Sequence, residues 1–195
     1  MEDIIISKLT ESIETKQKVL ELLIPNIKKL TEMVLNAYKN SGRLIIFGNG
    51  GSAADAQHIV AELVNKVKID RPMLDALSLT VNTSILTAIG NDWNYNDVFT
   101  RQVESLVKKE DVVVGLSTSG NSVNVINGLI KAKERGATVI GLTGEDGGRM
   151  KHLGLDLLIK IPSRDVARIQ ESHITIGHIM CEIIEEELFG NNKNK

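Results

Sequence analysis

The sequence predicts an α/β fold: a doubly wound parallel sheet with helices on both faces and a helical extension at the N-terminus. Three observations predict it. Four short runs, RLIIF (43–47), DVVVGL (111–116), ATVIGL (137–142) and DLLIKI (156–161), are rich in branched aliphatics and lack polar alternation, the pattern of strands buried on both faces. Helical stretches lie between these runs, so strands and helices alternate. Two loops rich in glycine and hydroxyls follow directly on the first two strands.

Taken in order, residues 3–40 place Ile6, Leu9, Ile13, Val19, Leu22, Leu23, Ile27, Leu30, Val34 and Leu35 mostly three or four apart, which is helical periodicity. Pro25 divides this stretch into two helices, because proline removes a hydrogen bond and clashes inside a helix. Their apolar faces either cap the chain's own core or pack against a partner; a partner is the favoured reading. After Gly42 the strands begin, with helices at about 53–66, 82–90, 95–107 and 122–135. A last helix runs from about 166 to 188, ending before Gly190. With no repeat or Pro/Gly-rich linker, the chain reads as one domain over 1–195: helices in 1–40, the α/β core in 41–190 and a frayed tail in 191–195.

Composition excludes several classes of function. The 195 residues carry 23 basic and 25 acidic side chains, net charge -2, with no basic stripe to neutralise a phosphate backbone, so nucleic acid is not an expected ligand. A single cysteine rules out an internal disulfide framework, argues against a cysteine-based metal site, and suits the cytoplasm. The start, MEDIIISKLTESIETKQ, has acids where a signal peptide needs cations. No run is long enough to span a bilayer.

Ligands of open α/β sheets bind beyond the carboxyl ends of the strands. The loop Gly48-Asn49-Gly50-Gly51-Ser52 follows the first strand and lets backbone N–H groups approach a ligand. The loop Ser117-Thr118-Ser119-Gly120-Asn121-Ser122 follows the second; four hydroxyls, a glycine and a helix N-terminus make a neutral cradle for one phosphate. Either loop alone is also accounted for by a tight turn and a helix cap; the pair together favours a phosphate. Gly48, Gly50 and Ala53 mimic a dinucleotide fingerprint, but the acidic residue that should end a second strand is missing, since Asp70 follows a polar helix end. There is no Walker loop.

His58 and Glu62 are four apart, on one face of a helix. Such a pair can bind a divalent metal, act as acid and base, or simply be solvated. The last helix carries Arg168, Gln170, Glu171, His173 and His178 among apolar residues. Gln170 and His178 are eight apart, about 12 Å along a regular helix and roughly 80° around it. For both to join His58 and Glu62, the helix must be irregular at Gln170 or different subunits must contribute. Cys181 reads as core, His152 as exposed, and Trp93, Tyr95 and Phe99 as packing residues. Asn91 and Asp92 are suited to sugar hydroxyls.

In this order, FGNGGSAADAQH with Glu62 after it, AIGNDWNYNDVF, GLSTSGNS, LTGEDGG and ARIQESH followed by His178 resemble the sugar isomerase (SIS) domain family, which has a flavodoxin-like fold, and within it the phosphoheptose isomerases. The resemblance covers essentially the whole chain. It implies an intramolecular oxidoreductase converting sedoheptulose 7-phosphate to D-glycero-D-manno-heptose 7-phosphate, the first step towards a nucleotide-activated heptose for lipopolysaccharide or another surface polysaccharide. Asn49, Gly50, Gly51, Asn91 and Asp92 would contact this phosphorylated sugar, joined by Glu62 and Gln170; Ser117, Thr118, Ser119 and Ser122 would hold the phosphate, with Ser52 close by. His58, Glu62, Gln170 and His178 match zinc-binding positions, one Zn2+ per subunit, and Glu62 and His178 match the acid/base pair. No nucleotide or redox cofactor is implied. The implied assembly is a homotetramer with active sites between subunits. The chain departs from some members at Ala167, where they carry an acid; Asp165 is near but not aligned. A non-enzymatic relative that binds the replication initiator, and isomerases of other sugar phosphates, are the alternatives. The presence of Glu62 and His178 favours the enzyme.

Overall fold

In the computed structural model, described over residues 1–190, five parallel strands form one sheet in the order β2-β1-β3-β4-β5. They are β1 (Leu44–Gly48), β2 (Ala76–Ser78), β3 (Val112–Leu116), β4 (Thr138–Thr143) and β5 (Leu157–Lys160). The chain builds β1 and β2 outward in one direction and β3 to β5 in the other, so the topological switch lies between β1 and β3. That is where the two candidate loops leave the sheet. β1 and β3 pair in register from Leu44↔Val112 to Gly48↔Leu116, which brings the loop starts side by side.

The branched runs become strands because both of their faces are covered. Leu44, Ile46, Val112 and Val114 enter a core roofed by α1 (Glu2–Leu22), α2 (Ile24–Lys39), α3 (Gly51–Val64) and α7 (Val166–Phe189). Ile45, Phe47 and Val113 point the opposite way, beneath α4 (Thr83–Asp92), α5 (Thr100–Leu106) and α6 (Val123–Glu134). This period of two follows from the pleat, and each fully buried aliphatic contributes about 1.5–3 kcal/mol.

The division of the N-terminal helices falls at Leu23, with Pro25 in the first turn of α2, where a missing N–H costs nothing. Two expectations are corrected. β2 was not anticipated: three residues, Ala-Leu-Ser, are too few to show a period. The stretch 95–107 is not one helix but a 3₁₀ turn at Tyr95–Asp97 followed by α5 from Thr100. β2 ends in Ser78 and runs on into Leu79 and Thr80 without a carboxylate, which closes the dinucleotide reading. The tail expected at 191–195 lies outside the described residues.

Candidate active site

The helices α3 and α7 position the chemistry. They pack side by side and parallel: Gln170 lies against Gly51, Gly177 against Ile59, and Glu185 against the turn after α3. His58 and His178 meet within this seam. Their Nε2 atoms are 3.0 Å apart and their rings are edge-on, 4.9 Å between centroids. The same His58 Nε2 lies 3.1 Å from Glu62 Oε1. One oxygen and two imidazole nitrogens therefore converge, all within 4.8 Å of one another. His58 is half exposed, so the cluster opens to solvent.

This donor set fits zinc, which takes imidazole nitrogen and carboxylate oxygen in small coordination shells. Of the four positions expected to bind metal, His58, Glu62 and His178 come together within one chain. Gln170 does not share their turn. α7 is unbroken through it, and its amide lies over Gly51, so close that a Cβ there would stand 2.5 Å from Nε2. Glycine at 51 permits that approach. An irregular helix is thus not the answer to the Gln170–His178 spacing, and the triad needs no second subunit to form.

Asp55, three residues before His58, adds a carboxyl group that the sequence pattern did not single out. Burial raises its pKa above the usual carboxylate range, opposed by His58 and His178, and its Oδ2 has no partner. His173 stays out of the cluster: it is fully buried, with Nε2 3.4 Å from the Thr143 carbonyl and Nδ1 unpartnered. Burial pushes its pKa down to about 4. Asp165 caps α7, its Oδ1 accepting from the N–H groups of Ala167 and Arg168 at 2.9 and 3.1 Å. The Arg168 N–H, foremost, holds its pKa below the ordinary value. Cys181 is core, as expected, and burial lifts its thiol to about 12.

The loop after β3 turns through Gly120 at φ +65°, with its hydroxyls gathered at the N-terminus of α6. Ser117 and Ser122 share a hydrogen bond of 2.9 Å, and Ser119 Oγ accepts from the Asn121 N–H. No lysine or arginine interrupts residues 117–122, so the loop offers hydroxyls and N–H dipoles alone. It is backed by the LTGEDGG turn after β4: the Gly144 N–H donates to Thr118 O and the Met150 N–H to Gly120 O. A Cβ on Gly120 would sit 2.3 Å from the Gly147 carbonyl oxygen.

The loop after β1 is tied to α6 by a contact the sequence did not signal. Asn49 and Asn124 exchange reciprocal amide hydrogen bonds of 2.9 and 2.8 Å, and the Tyr95 hydroxyl donates to Asn49 Oδ1 at 3.3 Å. Of the aromatic trio expected to pack, only Phe99 is buried. Tyr95 is exposed, and so is Trp93, which stacks on Arg101 4.1 Å away. Asn91 and Asp92 are exposed at the end of α4, joined to each other at 2.8 Å.

Residues 9–144, which carry the switch point of the parallel sheet and both of its loops, match the SIS domain family. The phosphoheptose isomerase of Clostridium acetobutylicum is 50% identical over 192 residues, covering 97% of each chain. The structure of the phosphoheptose isomerase from Neisseria gonorrhoeae superposes with a TM-score of 0.90 at 42% identity, over 95% of this chain and 98% of that one. That from Francisella tularensis gives 0.91 at 33% identity, over 94% and 97%. The chain belongs to the phosphoheptose isomerase family.

Proposed function

We propose that the chain interconverts sedoheptulose 7-phosphate and D-glycero-D-manno-heptose 7-phosphate, at the first step of nucleotide-activated heptose synthesis. The observation that carries this reading is the convergence of Glu62, His58 and His178 beside two loops fit for a phosphorylated sugar. From Gly51 to His58 is seven residues, about 10 Å of helix, a span comparable with an extended sugar chain.

Ser117, Thr118, Ser119 and Ser122, with the first N–H groups of α6, bind the phosphate, with Ser52 close by. Asn49, Gly50, Gly51, Asn91, Asp92 and Gln170 orient the sugar. Glu62 is the general base: it takes a proton from C1 of the ketose while His178 gives one to the C2 oxygen, leaving an enediol. His178 then takes the proton from the C1 oxygen, and Glu62 returns its own to C2. The proton count closes and both side chains are restored, so no redox cofactor is required. His58, Glu62 and His178 would hold one zinc ion, with Gln170 as the fourth ligand only if a neighbouring subunit supplied it; when bound, the ion supplies carbonyl polarisation or orientation of these side chains.

The assembly in this reading is a homotetramer with active sites at subunit interfaces. Its support is the groove between α1, α2 and α7, and the exposed Ile4, Ile5, Ile6, Leu9 and Ile13 on α1. The setting is the cytoplasm, and the product feeds a surface polysaccharide; among the described residues no helix is long and apolar enough to cross a membrane. The test is an isomerase assay with sedoheptulose 7-phosphate on the intact, zinc-supplied protein and on Glu62→Gln and His178→Ala. Turnover by the first, with losses of about 10²- to 10⁴-fold in kcat in the variants, is expected. No turnover by the intact protein would refute the reading.

A further inference from the structure

The turn after α3 is held by a buried ion pair that no part of the reaction described so far uses. Arg71 and Glu185 side chains are 1% and 2% exposed and meet at 2.9 Å. Glu185 Oε1 accepts from the Val67 N–H at 3.0 Å as well as from Arg71 Nε; Oε2 accepts from the N–H groups of Lys68 and Ile69 at 2.7 and 2.9 Å. The guanidinium then reaches back along α3. Nη2 donates to the Glu62 carbonyl at 3.0 Å and Nη1 to the Leu63 carbonyl at 2.9 Å. These are two of the last carbonyls of α3, which have no partner within their own helix. The arginine thus caps the turn that carries Glu62 and ties it to α7.

The position on α7 matters as much. Glu185 is seven residues beyond His178, two turns along the same face. The clamp therefore joins the two parallel helices just past the point where Glu62, His58 and His178 meet, while Gly177 against Ile59 joins them within the triad's own turn. A planar fork with five donors serves the carbonyls of Glu62, Leu63 and Pro72, the last at 3.0 Å, and a carboxylate at once; lysine has no such geometry. If the clamp only held the loop, the bonds that Glu185 accepts from the Val67, Lys68 and Ile69 N–H groups would suffice. The donation to the Glu62 carbonyl fixes the backbone of the residue whose carboxylate faces His58.

We propose that Arg71, backed by Glu185, is a positioning residue for the isomerisation, setting the Glu62 carboxylate against the His58/His178 pair. The proposal rests on the reading of Glu62 as the base. A misplacement near 1 Å at a reacting group costs about 100-fold, and outer-shell partners of metal ligands are worth about 10- to 100-fold in affinity. The experiment compares the full-length protein with Arg71→Met, Arg71→Lys, Glu185→Gln and a core control, Val34→Ala. Each is assayed well below its own melting temperature. The expected result is a kcat lower by about 10- to 100-fold with KM within about twofold in Arg71→Met. Zinc, titrated alone against a chromophoric chelator, should bind about 10-fold more weakly. Arg71→Lys and Glu185→Gln should fall between and carry the test if Arg71→Met does not fold. Val34→Ala should melt earlier yet keep kcat and zinc affinity. Arg71 and Glu185 variants that melt earlier but keep both values would overturn the proposal while leaving the base reading intact. Full activity in Glu62→Gln would instead remove the base reading and this proposal with it.

Discussion

His58 and His178, 120 residues apart in sequence, face each other Nε2 to Nε2 at 3.0 Å, with Glu62 Oε1 on the same His58 nitrogen at 3.1 Å. Two imidazole nitrogens at this distance share a proton or a cation. Metal binding requires both rings neutral at the ligating nitrogen and the carboxylate ionised. Chelator-treated protein titrated with zinc should therefore take up one equivalent per chain, and His58→Ala should weaken binding by at least about 100-fold. Unchanged stoichiometry and affinity in His58→Ala, read by calorimetry and metal analysis, would remove the zinc assignment.

The loop after β3 makes a separable prediction, because in the proposed reading its hydroxyls bind a phosphate that takes no part in proton transfer. Ser119→Ala removes one donor from an exposed position without touching the Ser117–Ser122 pair. A hydrogen bond to a charged group contributes about 1.5–3 kcal/mol. KM for the sugar phosphate should rise about 10- to 100-fold while kcat changes little, and inorganic phosphate should inhibit the variant less than the parent. A fall confined to kcat would place Ser119 elsewhere in the mechanism.

What the sequence made legible was whatever has a local signature. The strands β1, β3, β4 and β5 announce themselves because burial on both faces demands unbroken aliphatic runs; β2, three residues long, carries no period to read. His58 and Glu62 were visible as an i, i+4 pair. Their meeting with His178 was implied by the family resemblance alone, since it follows from α3 and α7 lying parallel, a packing outcome with no local trace. The contacts of Arg71 with Glu185, and of Asn49 with Asn124 and Tyr95, are packing outcomes that nothing in the sequence signalled. Tyr95 reads as a packing residue in sequence because aromatic side chains are usually core; in the fold the 3₁₀ turn leaves its ring exposed and its hydroxyl on the loop after β1.

His173 ties stability to pH. Its folded pKa, about 4, lies below the ordinary histidine value because burial disfavours the imidazolium. Above pH 6.5 neither folded nor unfolded chain holds the proton; between 6.5 and 4 only the unfolded chain does, so stability falls as pH falls through that window and levels off below it. At about 1.4 kcal/mol per pKa unit the loss approaches about 3 kcal/mol. His173→Gln, which cannot titrate, should lack this slope. Urea unfolding at pH 7, 6, 5 and 4 should show parent and variant diverging by about one proton's worth, and parallel curves would contradict the assignment.

The last prediction concerns the groove of about 700 Å³ bordered by Val19, Leu20, Ile24, Ile27, Ile179 and Ile183. Leu20 and Ile24 are more than half exposed, as are Ile4 to Ile6, Leu9 and Ile13 along α1. At the same time α1 is firmly seated on α7, since Arg168 donates to the Lys8 carbonyl at 2.9 Å and Ser12 to Glu171 at 2.7 Å. A helix fixed to its own chain yet apolar on its outer side has its exposed face set for another surface, and apolar patches of this extent mark interaction sites. In the tetrameric reading a second copy covers it, so light scattering should give about four times the 21.4 kDa chain mass. Leu20→Asp combined with Ile24→Asp would bury two unpaired carboxylates in that contact, and the assembly should dissociate. The triad forms within one chain, so zinc binding should survive dissociation, whereas turnover should be lost if neighbouring subunits complete the substrate site. A dissociated protein with full activity would show that each chain is a self-sufficient enzyme, and the shared-interface reading would fall.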